Sequence, residues 1–283
     1  MNDAGQVAGY YWNGVTYEGF IASPNPTVVA ATAHVSVAGT VTATAANGVL
    51  ANDTDPIPND TLTVSAVDGQ ASNVGHALVG SYGTLTLNAD GSFSYLADPS
   101  VPSNIIAQDI FTYAATEEAG GSATSTLTIT VTQAGQTYIA GTPGQALTSG
   151  NGSVLLDGSL LQNETISAGN GNDGVIAGSN DTITLGNGID VVNAGDSETI
   201  TLGNGADTVT AGANCIITAG NGTDNVTTGS NSTIKLGNGV DTVMAGANSI
   251  ITVGNGNDTV TAGTNSTIII ECAMCFRKPV RSL

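Results

Sequence analysis

Aspartate recurs at 17-residue intervals in the second half of this 283-residue chain, at Asp173, Asp190, Asp207, Asp224, Asp241 and Asp258. Each ends a Gly-Asn-Gly-x-Asp phrase, whose glycines are Gly169 and Gly171, Gly186 and Gly188, Gly203 and Gly205, Gly220 and Gly222, Gly237 and Gly239, and Gly254 and Gly256. Carboxylates and turn carbonyls are hard oxygen donors, and a pliable site with many oxygens favours Ca2+ over Mg2+. If the units stack as coils at the ordinary interstrand spacing of about 4.8 Å, the carboxylates line one edge. Neighbouring like charges there repel by roughly 0.9 kcal/mol at water's dielectric and by ~3.5 kcal/mol at an effective value of 20. A cation between adjacent turns reverses that sign. The competing expectation is a metal-free stack in which each Asp caps turn amides.

The elements that must position this column follow from the rest of the repeat. Each unit reads x-Gly-Asn-Gly-x-Asp-x-Val-x-Ala-Gly-x-Asn-x-x-Ile-Thr, from Ala168 onward. Several glycines, β-branched residues and no 3.6-residue period exclude helix. Two short strands joined by two turns fit, with Val175, Val192, Val209, Val226, Val243 and Val260 pointing inward from one and Ile183, Ile200, Ile217, Ile234, Ile251 and Ile268 from the other. The alternate turn, Ala-Gly-x-Asn, is expected to stack as a neutral amide ladder through Asn180, Asn214, Asn231, Asn248 and Asn265, with Ser at 197. Gly169-x-Gly171-x-x-Gly174 spells a dinucleotide fingerprint, but no βαβ unit surrounds it. The Thr208, Thr210, Thr259 and Thr261 steps of a candidate ice-binding face are interrupted at equivalent positions by Asn225, Met244, Val191 and Asn193.

At these residues the chain resembles the RTX, or haemolysin-type, calcium-binding repeats, with nonapeptide Gly-Gly-x-Gly-x-Asp-x-U-x. Residues Leu202-Gly203-Asn204-Gly205-Ala206-Asp207-Thr208-Val209-Thr210 match it except at the first Gly. The resemblance implies a parallel β-roll with Ca2+ held between successive turns by turn carbonyls and the Asp. Two features depart from the family: Ala, Leu or Val replaces the first Gly, and the alternate turn is an eight-residue unit read as lacking Asp. One calcium edge is therefore implied, not two.

Residues 27–133 read as short strands between turn signals, an all-β sandwich. Candidate strands are Val35–Thr42, Thr61–Val67, Gly83–Leu87, Ser92–Leu96, Asp109–Ala115 and Ser122–Val131, with a hairpin turn at Asn88-Ala89-Asp90-Gly91. The phrases Gly48-Val49-Leu50-Ala51-Asn52-Asp53-Thr54-Asp55, Tyr82 through Tyr95 and Asp109-Ile110-Phe111-Thr112-Tyr113 resemble the VCBS or cadherin-like tandem domains of large bacterial surface adhesins. That resemblance implies a calcium loop carrying Asp53, Asp55 and Asp60, with Glu117 where the family has Asp in its Asp-Gly-x-Gly-Gly turn. The fold class expected is thus all-β: a cadherin/Ig-like β-sandwich followed by a parallel β-roll (β-solenoid) of 17-residue coils.

The remaining segments are less informative. Residues 1–26 form a hairpin fragment around Trp12-Asn13-Gly14, resembling one HAF-type extracellular repeat in Asn2 through Tyr11. Residues 134–167 are expected to be linker and N-terminal cap, 168–270 the roll, and 271–283 a non-repeat tail. Cys272 and Cys275 make a lone Cys-x-x-Cys, too few ligands for a zinc site. Residues Met1–Gln6 lack the basic and apolar regions of a signal peptide, and no apolar run is long enough to span a membrane.

Composition narrows the function classes. With 23 acidic against 4 basic residues, net charge −19, the chain would be repelled by nucleic acid and by anionic membranes. Neither His-Glu-x-x-His nor Gly-x-Ser-x-Gly occurs, and His34 and His76 stand beside no nucleophile phrase. The expectation is a calcium-binding, non-catalytic secreted or cell-surface structural and adhesion module, its partners calcium ions and surface or matrix glycans or proteins. The alternatives are an accessory domain of a secreted hydrolase and a metal-free solenoid binding glycan or ice.

Overall fold

The computed structural model describes residues 7–22, 24–57, 60–118, 120–271 and 281–282. Cys272, Cys275 and Asn2 to Gln6 lie outside the described residues. The chain divides into two compact units, residues 1–101 with 107–131, and residues 102–106 with 132–283.

In the first unit, β1 (Val7–Trp12) and β2 (Tyr17–Ala22) form an antiparallel hairpin in which Trp12 faces Tyr17 across the turn. The strands β3 (Ala31–Ser36), β4 (Thr40–Ala43), β5 (Leu62–Val67), β6 (Ala77–Val79), β7 (Gly83–Leu87), β8 (Phe93–Ala97), β9 (Ala107–Glu117) and β10 (Ser122–Thr132) build two four-stranded sheets. Their orders are β3-β10-β9-β5 and β4-β8-β7-β6. Alternation decides the inner faces: Phe93, Tyr95 and Ala97 of β8, and Phe111, Tyr113 and Ala115 of β9, are buried while the residues between them face outward. The single strand expected at Val35–Thr42 is broken in two at Ala38, whose φ of 60° is a left-handed turn conformation. Gly39 follows because a Cβ there would lie 2.8 Å from the Ser36 carbonyl oxygen.

The second unit is a parallel β-solenoid of about eight turns. One sheet contains the Val strands, Gly174–Ser179, Val191–Asn193, Thr208–Ala211, Asn225–Thr228, Thr242–Ala245 and Thr259–Ala262. The other contains the Ile strands, from Thr165–Ser167 through Thr182–Thr184, Thr199–Thr201, Ile216–Thr218, Thr233–Lys235, Ile250–Val253 and Thr267–Ile270. The register is the repeat itself: Val192 pairs with Val209 and Ile200 with Ile217, 17 residues on. Residues 134–167, read as linker and cap, already carry coil strands: Thr137–Ala140 pairs with Val154–Gln162, and Leu147–Thr148 with Thr165–Ser167. Their irregular loops hide them from a search for a fixed period.

Inside, Val175 to Val243 and Ile166 to Ile251 are 0–1% exposed at the repeated positions. A third inner column, Leu185, Leu202, Ala219, Leu236 and Val253, is also buried. These are the residues that stand where the nonapeptide has its first Gly, so that departure fills the core rather than damaging the turn. Asn180, Ser197, Asn214, Asn231, Asn248 and Asn265 hold φ of 59–65°. Asn is favoured there because its short polar side chain tolerates the left-handed region. The expected amide ladder is therefore on the opposite edge. Asn187, Asn204, Asn221, Asn238 and Asn255 each donate backbone N–H and side-chain N–H to the Oδ1 of the Asn one coil earlier.

Candidate functional site

Each Asp of the column sits at the end of a Gly-Asn-Gly turn, just before a Val strand, and turns inward. Asp173, Asp190, Asp207, Asp224 and Asp241 are 0–2% exposed, and Asp258 in the last coil is half-buried. One oxygen of each binds across the coil interface. The N–H groups of Asp173, Asp190, Asp207, Asp224 and Asp241 donate to Oδ1 of the next Asp, at 2.9, 3.0, 3.1, 3.0 and 3.2 Å. Asp173 Oδ1 caps Val154 in the same way. The second oxygen, Oδ2, of Asp173, Asp190, Asp207 and Asp224 is buried and receives no hydrogen bond. Burial raises all four carboxyls above their ordinary value. Asp190 and Asp224, further opposed by the neighbouring Asp charges, reach about 7.

The glycines of the phrase have two different jobs. At the first position the N–H groups of Gly186, Gly203, Gly220, Gly237 and Gly254 donate to the carbonyls of Gly169, Gly186, Gly203, Gly220 and Gly237, one coil back. At the second position the coils touch: a Cβ on Gly188, Gly205, Gly222, Gly239 or Gly256 would lie 1.3–1.5 Å from the preceding Gly carbonyl oxygen. The column thus combines inward carboxylates with turn carbonyls packed tightly between coils.

A second acidic centre lies in the sandwich. Asp55, Asp60 and Glu117 each place a carboxylate oxygen within 4.8 Å of the others. Loop amides orient them: Ile57 N–H donates to Asp55, Thr61 and Glu118 N–H to Asp60, and Gly121 N–H to Glu117. Asp55 Oδ2 and Glu117 Oε2 are buried and receive no hydrogen bond from the described residues. Burial, then the adjoining Asp55 carboxyl, raises Glu117 above its ordinary value. Gly121 is required beside it, since a Cβ would meet Glu117 Oε1 at 2.0 Å and the Pro24 carbonyl at 2.7 Å. Asp53 does not join this centre. Its Oδ1 accepts Val29 N–H and its Oδ2 the Tyr113 hydroxyl, tying the strand entry to the sheet.

The other solenoid edge carries polar chemistry that sequence reasoning missed. The residue after the left-handed turn position is buried in five coils, where Asp181, Glu198, Cys215, Ser232 and Ser249 are each 1% exposed, while Glu164 and Ser266 at the same place in the flanking coils are half-buried. The alternate turn is therefore not free of acid, correcting the reading from its Ala-Gly-x-Asn pattern. The available signal was spacing, because Asp181-x-Ile183 repeats the order of Asp173-x-Val175 eight residues later.

Residues 24–133 match the family model of the bacterial cadherin-like domain, and the sandwich is a cadherin-like domain. Among solved structures, a mouse clustered PcdhgC3 EC1-3 structure is similar at 12% identity and a TM-score of 0.22, over 50% of this chain and 50% of that one. The endo-fucoidan hydrolase MfFcnA4 from glycoside hydrolase family 107 is similar at 14% identity and a TM-score of 0.21, over 53% of this chain and 23% of that one. No curated protein matches the sequence. Among the described residues, no helix is long and apolar enough to cross a membrane.

Proposed function

We propose that the chain is a calcium-stabilised, non-catalytic structural and adhesion module of a secreted or cell-surface protein. The cadherin-like domain and the solenoid fit a structural or adhesive role. The observation that carries the calcium reading is the set of buried carboxylate oxygens that receive no hydrogen bond, at Asp55 and Glu117 and along Asp173, Asp190, Asp207 and Asp224. Buried anionic oxygens are costly unless a positive partner reaches them. In the solenoid the one basic group among the described side chains is Lys235, exposed on an outer strand face. The residues fit a hard cation: Asp55, Asp60 and Glu117 would hold it in the sandwich, and the Asp column with the Gly turn carbonyls in the solenoid. Bound Ca2+ would supply the missing positive charge and, by binding only the folded chain, raise its stability. Surface or matrix glycans or proteins are the adhesion partners we assign to such a module.

Circular dichroism with thermal melts, in chelator and with titrated Ca2+ or Mg2+, tests this. Ca2+ is expected to raise the melting temperature more than Mg2+ does. The response should shrink when Asp190, Asp207, Asp224 and Asp241 are changed to Asn, and shrink separately in Asp55→Asn/Glu117→Gln. No Ca2+ response, or a response in both variants equal to that of the wild type, would sink the reading. The second reading, a metal-free solenoid with protonated Asp side chains, draws on the Oδ1 caps across each coil interface. It expects stability to follow pH alone.

A further inference from the structure

We propose that Asp181 and Glu198 form a second, local cation site, on the solenoid edge opposite the Asp column. It uses no residue of the Gly-Asn-Gly-x-Asp phrases and stands independently of the calcium reading above.

What the column residues do in the later coils defines the site. Cys215 N–H donates to the Ser232 hydroxyl oxygen, Ser232 N–H to Ser249 and Ser249 N–H to Ser266, so each column side chain caps the coil before it. Each also has a proton to give, and gives it to the turn glycine three residues earlier. The Cys215 thiol faces the Gly212 carbonyl, and the Ser232 and Ser249 hydroxyls donate to the carbonyls of Gly229 and Gly246. In the three earlier coils the same place holds Glu164, Asp181 and Glu198, the last two three residues after Gly178 and Gly195. An ionised carboxylate has no proton, so there acceptor faces acceptor.

The side chains show this mismatch directly. Asp181 spends Oδ1 on the Glu164 N–H, and its Oδ2 is buried and receives no hydrogen bond. Glu198 is 1% exposed, and neither of its buried oxygens has a partner in hydrogen-bond geometry. Burial, then the Asp181 charge, pushes the Glu198 carboxyl up to about 7, although the backbone N–H groups of Asp181 and Asn180 lie near enough to offset part of the rise. The two residues occupy equivalent places in adjacent coils, since Thr182 pairs with Thr199 and Ile183 with Ile200. These three carboxylate oxygens make a donor set of hard oxygens only. That set suits Ca2+ or a similar hard cation bridging the two coils. Among the described side chains of this unit, Lys235 is the one basic group and lies on an outer face, so none of them supplies a positive charge here. Beyond Glu198 the column becomes Cys and Ser, and before Asp181 it holds Glu164, which is only half-buried, so the fully buried acids are this pair.

The column supplies its own control residue. In the full chain, Asp181→Ser/Glu198→Ser installs the side chain that later coils already use, and Glu198→Gln removes charge at constant size. Calcium bound per chelator-stripped chain is counted by equilibrium dialysis and isothermal titration calorimetry with CaCl2, with circular dichroism confirming the fold. Both variants are expected to lose one bound Ca2+ while the remaining binding is kept. An unchanged count in either folded variant overturns this site and leaves the Asp-column reading standing. A wild-type chain that binds no Ca2+ overturns both. A pH dependence of the melting temperature that differs between wild type and Glu198→Gln, with equal calcium counts in the two, assigns a proton to this place and overturns the cation.

Discussion

Gly205 shows how much one hydrogen decides in this molecule. A Cβ there would sit 1.5 Å from the Gly188 carbonyl oxygen, and neighbouring backbone, unlike the end of a flexible side chain, cannot step aside. Gly205→Ala must push adjacent coils away from each other, and is expected to cost more than about 2 kcal/mol, at the severe end for single substitutions. Gly150→Ala, with nothing within 4 Å of the new Cβ, should stay within about 0.5 kcal/mol of wild type. Urea denaturation of the two variants separates close approach from a generic cost of replacing glycine. At the same scale Asn231 holds φ near 60°. Asn231→Ala should destabilise by roughly 1 kcal/mol and Asn231→Gly by less, because glycine enters that region without strain.

Coils are the elements of the second unit, and each is supported by its neighbours. Ile234 is fully buried between coils, whereas Ile268 and Val260 in the last described coil are only partly buried. In such a stack, stability is approximately a sum of intrinsic and nearest-neighbour terms. Ile234→Ala should therefore cost about 2–5 kcal/mol, and Ile268→Ala clearly less. Native-state hydrogen exchange should show the same gradient, with amides of Thr233–Lys235 protected longer than those of Thr267–Ile270. Equal protection in the two strands would contradict the nearest-neighbour account. The Asn ladder and the Asp caps follow the same logic, since each bond crosses an interface between consecutive coils.

For the whole molecule the decisive quantity is charge. The net −19 includes buried carboxyls whose folded values lie well above their ordinary ones, with Asp190 and Asp224 at about 7 against 3.8. A raised carboxyl value means that the folded chain holds protons which the unfolded chain releases first. In chelator, stability should be greatest below pH ~4 and fall as pH rises toward and through 7. Thermal melts from pH 4 to 8 check this. Saturating Ca2+ should flatten the profile by replacing the lost protons, and a chelated chain most stable at pH 8 would contradict the sign.

Spacing made much of this legible from the start. The 17-residue period already gave the stacked coils, the inward Val and Ile columns and the strand register, because pairing of identical units leaves one register that keeps the same face buried. The cadherin-like sandwich was legible as a series of phrases, and it brought Asp55, Asp60 and Glu117 into view together. Other features depended on packing between coils. Spacing places Asp207 on an edge, but only the packed coils turn its Oδ1 onto a neighbouring amide and leave its Oδ2 buried. Tertiary contact likewise assigned Asp53 to Val29 and Tyr113 rather than to the acidic centre, moved the amide ladder to the Gly-Asn-Gly edge, and buried Glu198 behind an exposed turn. Period is a property of the chain alone, whereas burial of a single polar atom is fixed by the coils above and below it.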